Sequence, residues 1–223
     1  MSFNVAIDGP AGAGKSTVAK SVAALKNFIY VDTGAMYRAM ALYFLRQGID
    51  KTDENAINAT LDKVEITIRY ENGAQQVILN GRDVSGKIRT EAVGNAASVV
   101  SAYRAVRQAL LALQQNLAKT SNVIMDGRDI GTCVLPNAQT KIYLTASSHV
   151  RAVRRYKELT EKGQMCNLEE IEQDIIDRDY RDMHREIAPL TQAADAVLLD
   201  SSEMTIDQVV DGIIGAARER GLA

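Results

Sequence analysis

GPAGAGKST occupies residues 9–17, and its reading decides the fold. Gly9, Gly14, Lys15 and Ser16 stand at the G-x-x-x-x-G-K-[ST] spacing of a phosphate-binding loop. The spacing has a physical cause. Glycines let the chain turn tightly and aim successive N–H groups into one concavity. The helix that follows offers its positive N-terminus to the same anion. All nine residues, Gly9, Pro10, Ala11, Gly12, Ala13, Gly14, Lys15, Ser16 and Thr17, are therefore expected to wrap phosphates. Lys15 would reach the β- and γ-groups, and the Ser16 hydroxyl would ligate Mg²⁺. The flanks agree: FNVAID (3–8) is an apolar run fit for a buried strand, and VAKSVAAL (18–25) reads as a helix. Strand, loop and helix in that order predict a nucleoside triphosphate site. Switches, motors and small-molecule kinases all share it, so the loop does not name the reaction.

Composition narrows the class. The chain has 223 residues, 46% apolar and 24% charged, with net charge −2, which is ordinary for a globular protein. Its length suits one domain with inserted subdomains. Near-neutral charge argues against a nucleic-acid polymer as partner. The first strand starts at residue 3, so no signal peptide is expected, and no apolar run approaches membrane-spanning length. A cytoplasmic monomer is the expectation, with no membrane partner. Cys133 and Cys166 lack metal or redox spacing, and His149 and His184 are isolated, which leaves little support for a metal cluster or a His-based triad.

Apolar runs recur as strand candidates at 28–31, 122–126, 141–144 and 196–200. Helical stretches lie at 34–47, 104–119, 148–162, 168–184 and 205–219. This alternation predicts an α/β fold, a parallel sheet covered on both faces with ligands at the strands' carboxyl ends. One segment breaks the rhythm. VEITIRY (64–70) and QQVILNG (75–81), joined by ENGA, read as an antiparallel hairpin inserted into the core. Asp53 reads as a helix N-cap in the same insert, and Thr33 as the cap of the helix after the second strand.

Arginine gathers at the predicted ligand edge. DTGAMYR (32–38) places Arg38 beside the loop, and MDGRDIGT (125–132) places Asp126, Arg128 and Asp129 at the end of a strand, with Asp126 where a metal-binding aspartate often stands. Arg151, Arg154 and Arg155 share one helix face by spacing, as do Arg178, Arg181 and Arg185, with Asp179 and Asp182 interleaved. Phosphoryl transfer between two anions explains such a collection. Its catalysis is mostly positioning and cationic stabilisation, and an acceptor phosphate is already ionised, so no general base is needed. A closing lid would exclude water.

These segments, with DVSGKIRT (83–90), NAAS (95–98), VRQALL (106–111), KIYLTAS (141–147), RDYRDMHREIAPL (178–190) and AVLLDSS (196–202), resemble the bacterial cytidylate kinase family. The resemblance implies a three-layer P-loop kinase core (1–33, 99–148, 168–223), a monophosphate-binding subdomain (34–98) with a hairpin insert (about 62–92), and a short helical lid (149–167). It implies ATP as donor, Mg²⁺ as cofactor, and CMP and dCMP as acceptors. Arg38, Arg128 and Arg185 would hold the acceptor phosphate and, with Lys15, the group in flight. Ser98, Arg107 and Asp129 would read cytosine, Arg178 and Asp182 the sugar, and Thr33 and Tyr37 would line the pocket, while Arg154 and Arg155 close on ATP. A carboxylate at Asp129 suits the exocyclic amino group of cytosine and opposes the oxygen of uracil, which predicts a preference for CMP over UMP.

Rival readings remain open at this point. Another small-molecule kinase would use the same loop and arginines. A GTPase switch reads guanine through N/T-K-x-D, and the nearest segment, TKIY (140–143), lacks the aspartate.

Overall fold

Runs of apolar side chains become strands where both faces are buried. In the computed structural model, which describes residues 2–222, the elements run β1 (Asn4–Asp8), α1 (Lys15–Lys26), β2 (Ile29–Asp32), α2 (Thr33–Arg46), α3 (Glu54–Asn58), β3 (Ile66–Glu71), β4 (Ala74–Leu79) and β5 (Arg82–Asp83). There follow α4 (Glu91–Val100), α5 (Arg104–Thr120), β6 (Val123–Gly127), β7 (Thr140–Thr145), α6 (Ser148–Glu161), α7 (Leu168–His184), β8 (Val197–Asp200) and α8 (Ile206–Arg218). The chain divides into two units, one of Phe3–Phe28 with the chain from Ile124 onward, the other of Ile29–Val123.

In the first unit β6, β1, β7 and β8 lie side by side in that order. β1 runs parallel to β7, with Val5 opposite Thr140, and β7 parallel to β8, with Ile142 opposite Val197. Val5, Ala6, Ile7, Ile124, Met125, Ile142 and Leu144 are buried, as a sheet covered on both faces requires. α1 and α8 pack together. α8 opens with a capping box, Thr205 with Gln208, and buries Val209, Val210, Ile213 and Ala217 along one stripe. α6 and α7 pack as a pair. Asn167 caps α7, accepting from the amides of Glu169 and Glu170.

The second unit is built on α2, whose Met36, Ala39, Met40 and Phe44 are buried, with α4 and α5 packed against it. Its antiparallel sheet has the order β3-β4-β5. Asn72 and Gly73 close the β3–β4 hairpin with φ of 51° and 76°, the mirror-image turn that Asn-Gly favours. The strand expected to run on to residue 81 instead stops at Leu79. Asn80 and Gly81, with φ of 47° and 76°, make a second such turn and return the chain as β5. The expected cap at Asp53 is present, accepting from the amide of Ala56. The cap of α2 is corrected: Asp32, and not Thr33, accepts the amide of Ala35, because the helix begins one residue earlier than expected.

The small sheet shares no ladder with β2. It is fastened to that strand by side chains. Gln75 accepts from the amide of Asp32 and donates to its carbonyl, at 2.8 and 3.1 Å, so its amide imitates a neighbouring peptide. The Tyr70 hydroxyl donates to the carbonyl of Tyr30. Gln75→Ala removes both hydrogen bonds of the first attachment. It should cost about 1–3 kcal/mol of local stability, read as faster amide exchange in 66–79. Unchanged exchange there would show that the sheet is held by apolar packing alone.

Candidate active site

The phosphate loop hangs from β1. A side chain at Gly9 (φ +147°) would place its Cβ 1.9 Å from the carbonyl oxygen of Leu144 in β7, so only glycine fits. Gly14 precedes α1 without a side-chain cap, so the first amides of the helix point at the loop's concavity, while the Thr17 amide already donates to the Gly14 carbonyl. Lys15 is buried and donates to the carbonyls of Gly9 and Pro10, each at 2.7 Å. Burial, followed by the Arg128 charge, holds its ammonium well below the usual range, against the opposing pull of Asp126 and Asp8. The Ser16 hydroxyl donates to Asp126 at 2.8 Å. One hydroxyl and one carboxylate meeting at the loop are the oxygen donors a hard divalent cation takes.

Beyond β6 the charges pair crosswise. Arg128 Nε donates to Asp182 at 2.9 Å, and Arg185 donates to Asp129 at 3.1 Å. The Arg185 and Asp129 side chains are both nearly buried. Burial pushes the Asp182 carboxyl up, but Arg128, Arg178 and Arg185 outweigh it and hold it below the usual carboxylate range. One expectation changes here. Arg185 does not ride the helical stripe, because α7 ends at His184 and Arg185 is extended (ψ 143°) with its Nε bound to the carbonyl of Ala188. Asp129 accepts from Arg185.

The α6 arginines do not share one environment either. Arg151 is buried, Arg154 donates to the carbonyl of Ser201 at 2.7 Å, and Arg155 pairs at the surface with Glu158. In the second unit, the Arg107 guanidinium lies 5.6 Å over the Tyr37 ring and donates to the Ser101 carbonyl. Ser101 in turn donates to the carbonyl of Ser98, so Tyr37, Ser98 and Arg107 form one cluster. Thr33 is buried, and Arg38 stands 3.9 Å from Asp32, which also holds Arg89 at 3.0 Å.

A family model described as cytidylate kinase matches residues 5–219. The chain belongs to that family. It is therefore a nucleoside monophosphate kinase. The cytidylate kinase of Shouchella clausii (strain KSM-K16) is 49% identical over 217 residues, covering 97% of this chain and 96% of that one. The cytidylate kinase of Lactobacillus gasseri is 52% identical over 208 residues, with 93% and 90% covered. A gluconokinase from Sinorhizobium meliloti 1021 shares the fold, with a TM-score of 0.50 at 14% identity over 98% of this chain and 93% of its own. No described helix of the kinase is long and apolar enough to cross a membrane.

Asp8 is the kinase's least expected site residue. It ends β1, is buried, and its two carboxylate oxygens accept the amides of Ile130 and Gly131, each at 2.7 Å. It thereby fixes the turn that carries Arg128 and Asp129. Burial raises its pKa to about 6, and the nearby Asp129 charge adds to this, despite the two amides. Folded, the carboxyl keeps a proton that the unfolded chain loses near 3.8. This contribution to stability is therefore full below that pH and lost as pH rises through about 6. In Asp8→Asn the titration is gone. The unfolding free energy of the wild type minus that of the variant should fall by about 2 kcal/mol between pH 4 and pH 7 in urea titrations. A difference that does not change with pH would show an ordinary carboxyl.

Proposed function

We propose that the kinase transfers the γ-phosphoryl group of ATP to CMP and dCMP in line, preferring cytosine over uracil. The observation that carries this reading is the crossed set of ion pairs, half-buried Arg128 with buried Asp182 and Arg185 with buried Asp129, beside a phosphate loop whose Ser16 meets Asp126. Buried charges of this kind are costly unless paired, and an anionic substrate supplies new partners for the guanidinium groups.

In this proposal Gly9–Thr17 hold the ATP phosphates, and Arg154 and Arg155 leave Ser201 and Glu158 to close on them as part of a lid (149–167). Lys15 leaves its two loop carbonyls for the β- and γ-phosphates and is charged when it does so. Arg38, Arg128 and Arg185 bind the acceptor phosphate, stabilise the equatorial oxygens and keep the acceptor oxygen in line. That oxygen already carries charge near neutral pH, so no side chain has to take a proton from it. Arg178 and Asp182 bind the sugar; Ser98, Arg107 and Asp129 read the base; Thr33 and Tyr37 line the pocket of a monophosphate-binding segment (34–98). Ser16, with Asp126, would hold Mg²⁺, which when bound neutralises charge on the donor phosphates. The protein is read as a cytoplasmic monomer.

The direct test is ADP formation from Mg-ATP against CMP, dCMP, UMP, AMP, GMP and dTMP. CMP and dCMP should turn over fast, UMP weakly and the others hardly at all. A different preferred monophosphate would overturn the base assignment, and turnover independent of any monophosphate would overturn the proposal. Asp129→Asn should narrow the ratio of CMP to UMP efficiency by about ten-fold, the effect of about 1–3 kcal/mol of mismatch removed. An unchanged ratio would place base reading elsewhere. Arg185→Ala should lower kcat by about 10³–10⁵ in protein whose melting temperature shows it folded. Near wild-type turnover would remove Arg185 from the transition state.

A further inference from the structure

Arg151, at the base of the lid segment 149–167, is given no ligand in the scheme above, yet its side chain is tightly held. It is 4% exposed, and its guanidinium donates in three directions. Nε meets the carbonyl of Ala146 at 2.8 Å, Nη1 the carbonyl of Ala11 at 3.0 Å, and Nη2 the carboxylate of Asp179 at 2.6 Å. The three acceptors belong to the residue just after β7, the phosphate loop and α7. The loop is pressed closely onto this side chain: a Cβ on Gly12 would lie 3.3 Å from the Cβ of Arg151.

A trans peptide is planar, with its C=O and N–H on opposite edges. No peptide bond among the described residues is cis. Pinning the Ala11 oxygen to α6 therefore turns the Gly12 N–H to the other side of the loop, away from α6. We propose that Arg151 is a positioning residue for the triphosphate. It sets the Ala11–Gly12 peptide so that the Gly12 N–H faces the anion, and Asp179 holds the guanidinium in that pose. The proposal rests on the ATP-binding reading of the loop and deepens it.

The geometry calls for arginine. Lysine at 151 keeps the charge but lacks the rigid planar fork that serves three acceptors at once. Removal of Arg151 alone strands Asp179, whose Oδ1 is already buried without a hydrogen-bond partner among the described residues. A neutral pair, Arg151→Gln with Asp179→Asn, avoids leaving one buried charge uncompensated.

The test measures KM for ATP and for CMP in the full-length kinase with Mg²⁺, for the wild type, R151K, D179N and the R151Q/D179N pair, with melting temperatures alongside. R151K and the neutral pair should raise KM for ATP by about tenfold or more, the effect of losing one well-aimed N–H to a charged group, and change KM for CMP by less than about threefold. D179N, which keeps Arg151 but weakens the hold on its guanidinium, should raise KM for ATP by less than R151K does, and an effect larger than that of R151K would overturn the order of roles. A merely structural role would lower the melting temperature and leave KM for ATP in the folded protein unmoved. An unchanged KM for ATP in either R151K or the neutral pair overturns the proposal. A wild type that shows no ATP-dependent turnover with CMP overturns the functional reading instead and takes the proposal with it, so the two failures are told apart by the wild-type assay alone.

Discussion

Residue 9 has no space for a side chain, and most of the site follows from that. The backbone of β7 lies so close to Gly9 that a single methyl group would overlap the Leu144 carbonyl. This contact seats the loop on the sheet. Once seated, the loop turns its Gly9 and Pro10 carbonyls toward Lys15, meets Asp126 through Ser16, and offers its Ala11 carbonyl to Arg151. Each of those contacts needs the loop backbone within hydrogen-bond range of a neighbour, which a bulkier residue 9 would prevent.

The second organising fact is desolvation. Lys15, Asp8, Asp126, Asp129, Arg151, Asp179 and Asp182 are all buried, in a protein of ordinary overall charge. Charges taken out of water are tolerated when paired and hydrogen-bonded. Here the pairs link elements far apart in sequence: Arg128 with Asp182, Asp129 with Arg185, Arg151 with Asp179. These pairs keep the cations ordered and the anions occupied. In the proposed reaction a phosphate entering such a site meets donors already dehydrated, which favours strong electrostatic interaction over reorganisation.

Much of this was legible in the sequence, and the limits of that reading have physical causes. Local patterns were decisive for the strand, loop and helix around Gly9–Thr17 and for the Asn72–Gly73 hairpin, because both rest on backbone conformations that few residues adopt. A second Asn-Gly pair, at 80–81, carried the same signal but was absorbed into a strand by the apolar residues before it. Side-chain destinations were less legible. Helical spacing put Arg151, Arg154 and Arg155 on one face, but spacing does not say what the face meets, and one of the three is buried under the phosphate loop. Asp8 stands in the sequence only as the last residue of the 3–8 run. Its partners lie more than 120 residues away, at Ile130 and Gly131, where only the folded chain brings them together.

The fastening of the small sheet has an evolutionary consequence. Gln75 and Tyr70 join it to β2 through side chains, and the two sheets share no backbone ladder. A shared ladder would transmit any insertion as a change of register, flipping inward residues outward along the neighbouring strand. A side-chain rivet transmits nothing of the kind. The hairpin tips at 72–73 and 80–81 can therefore lengthen, shorten or diverge in sequence while β2 keeps its alignment, which makes this small sheet a part that can vary in size.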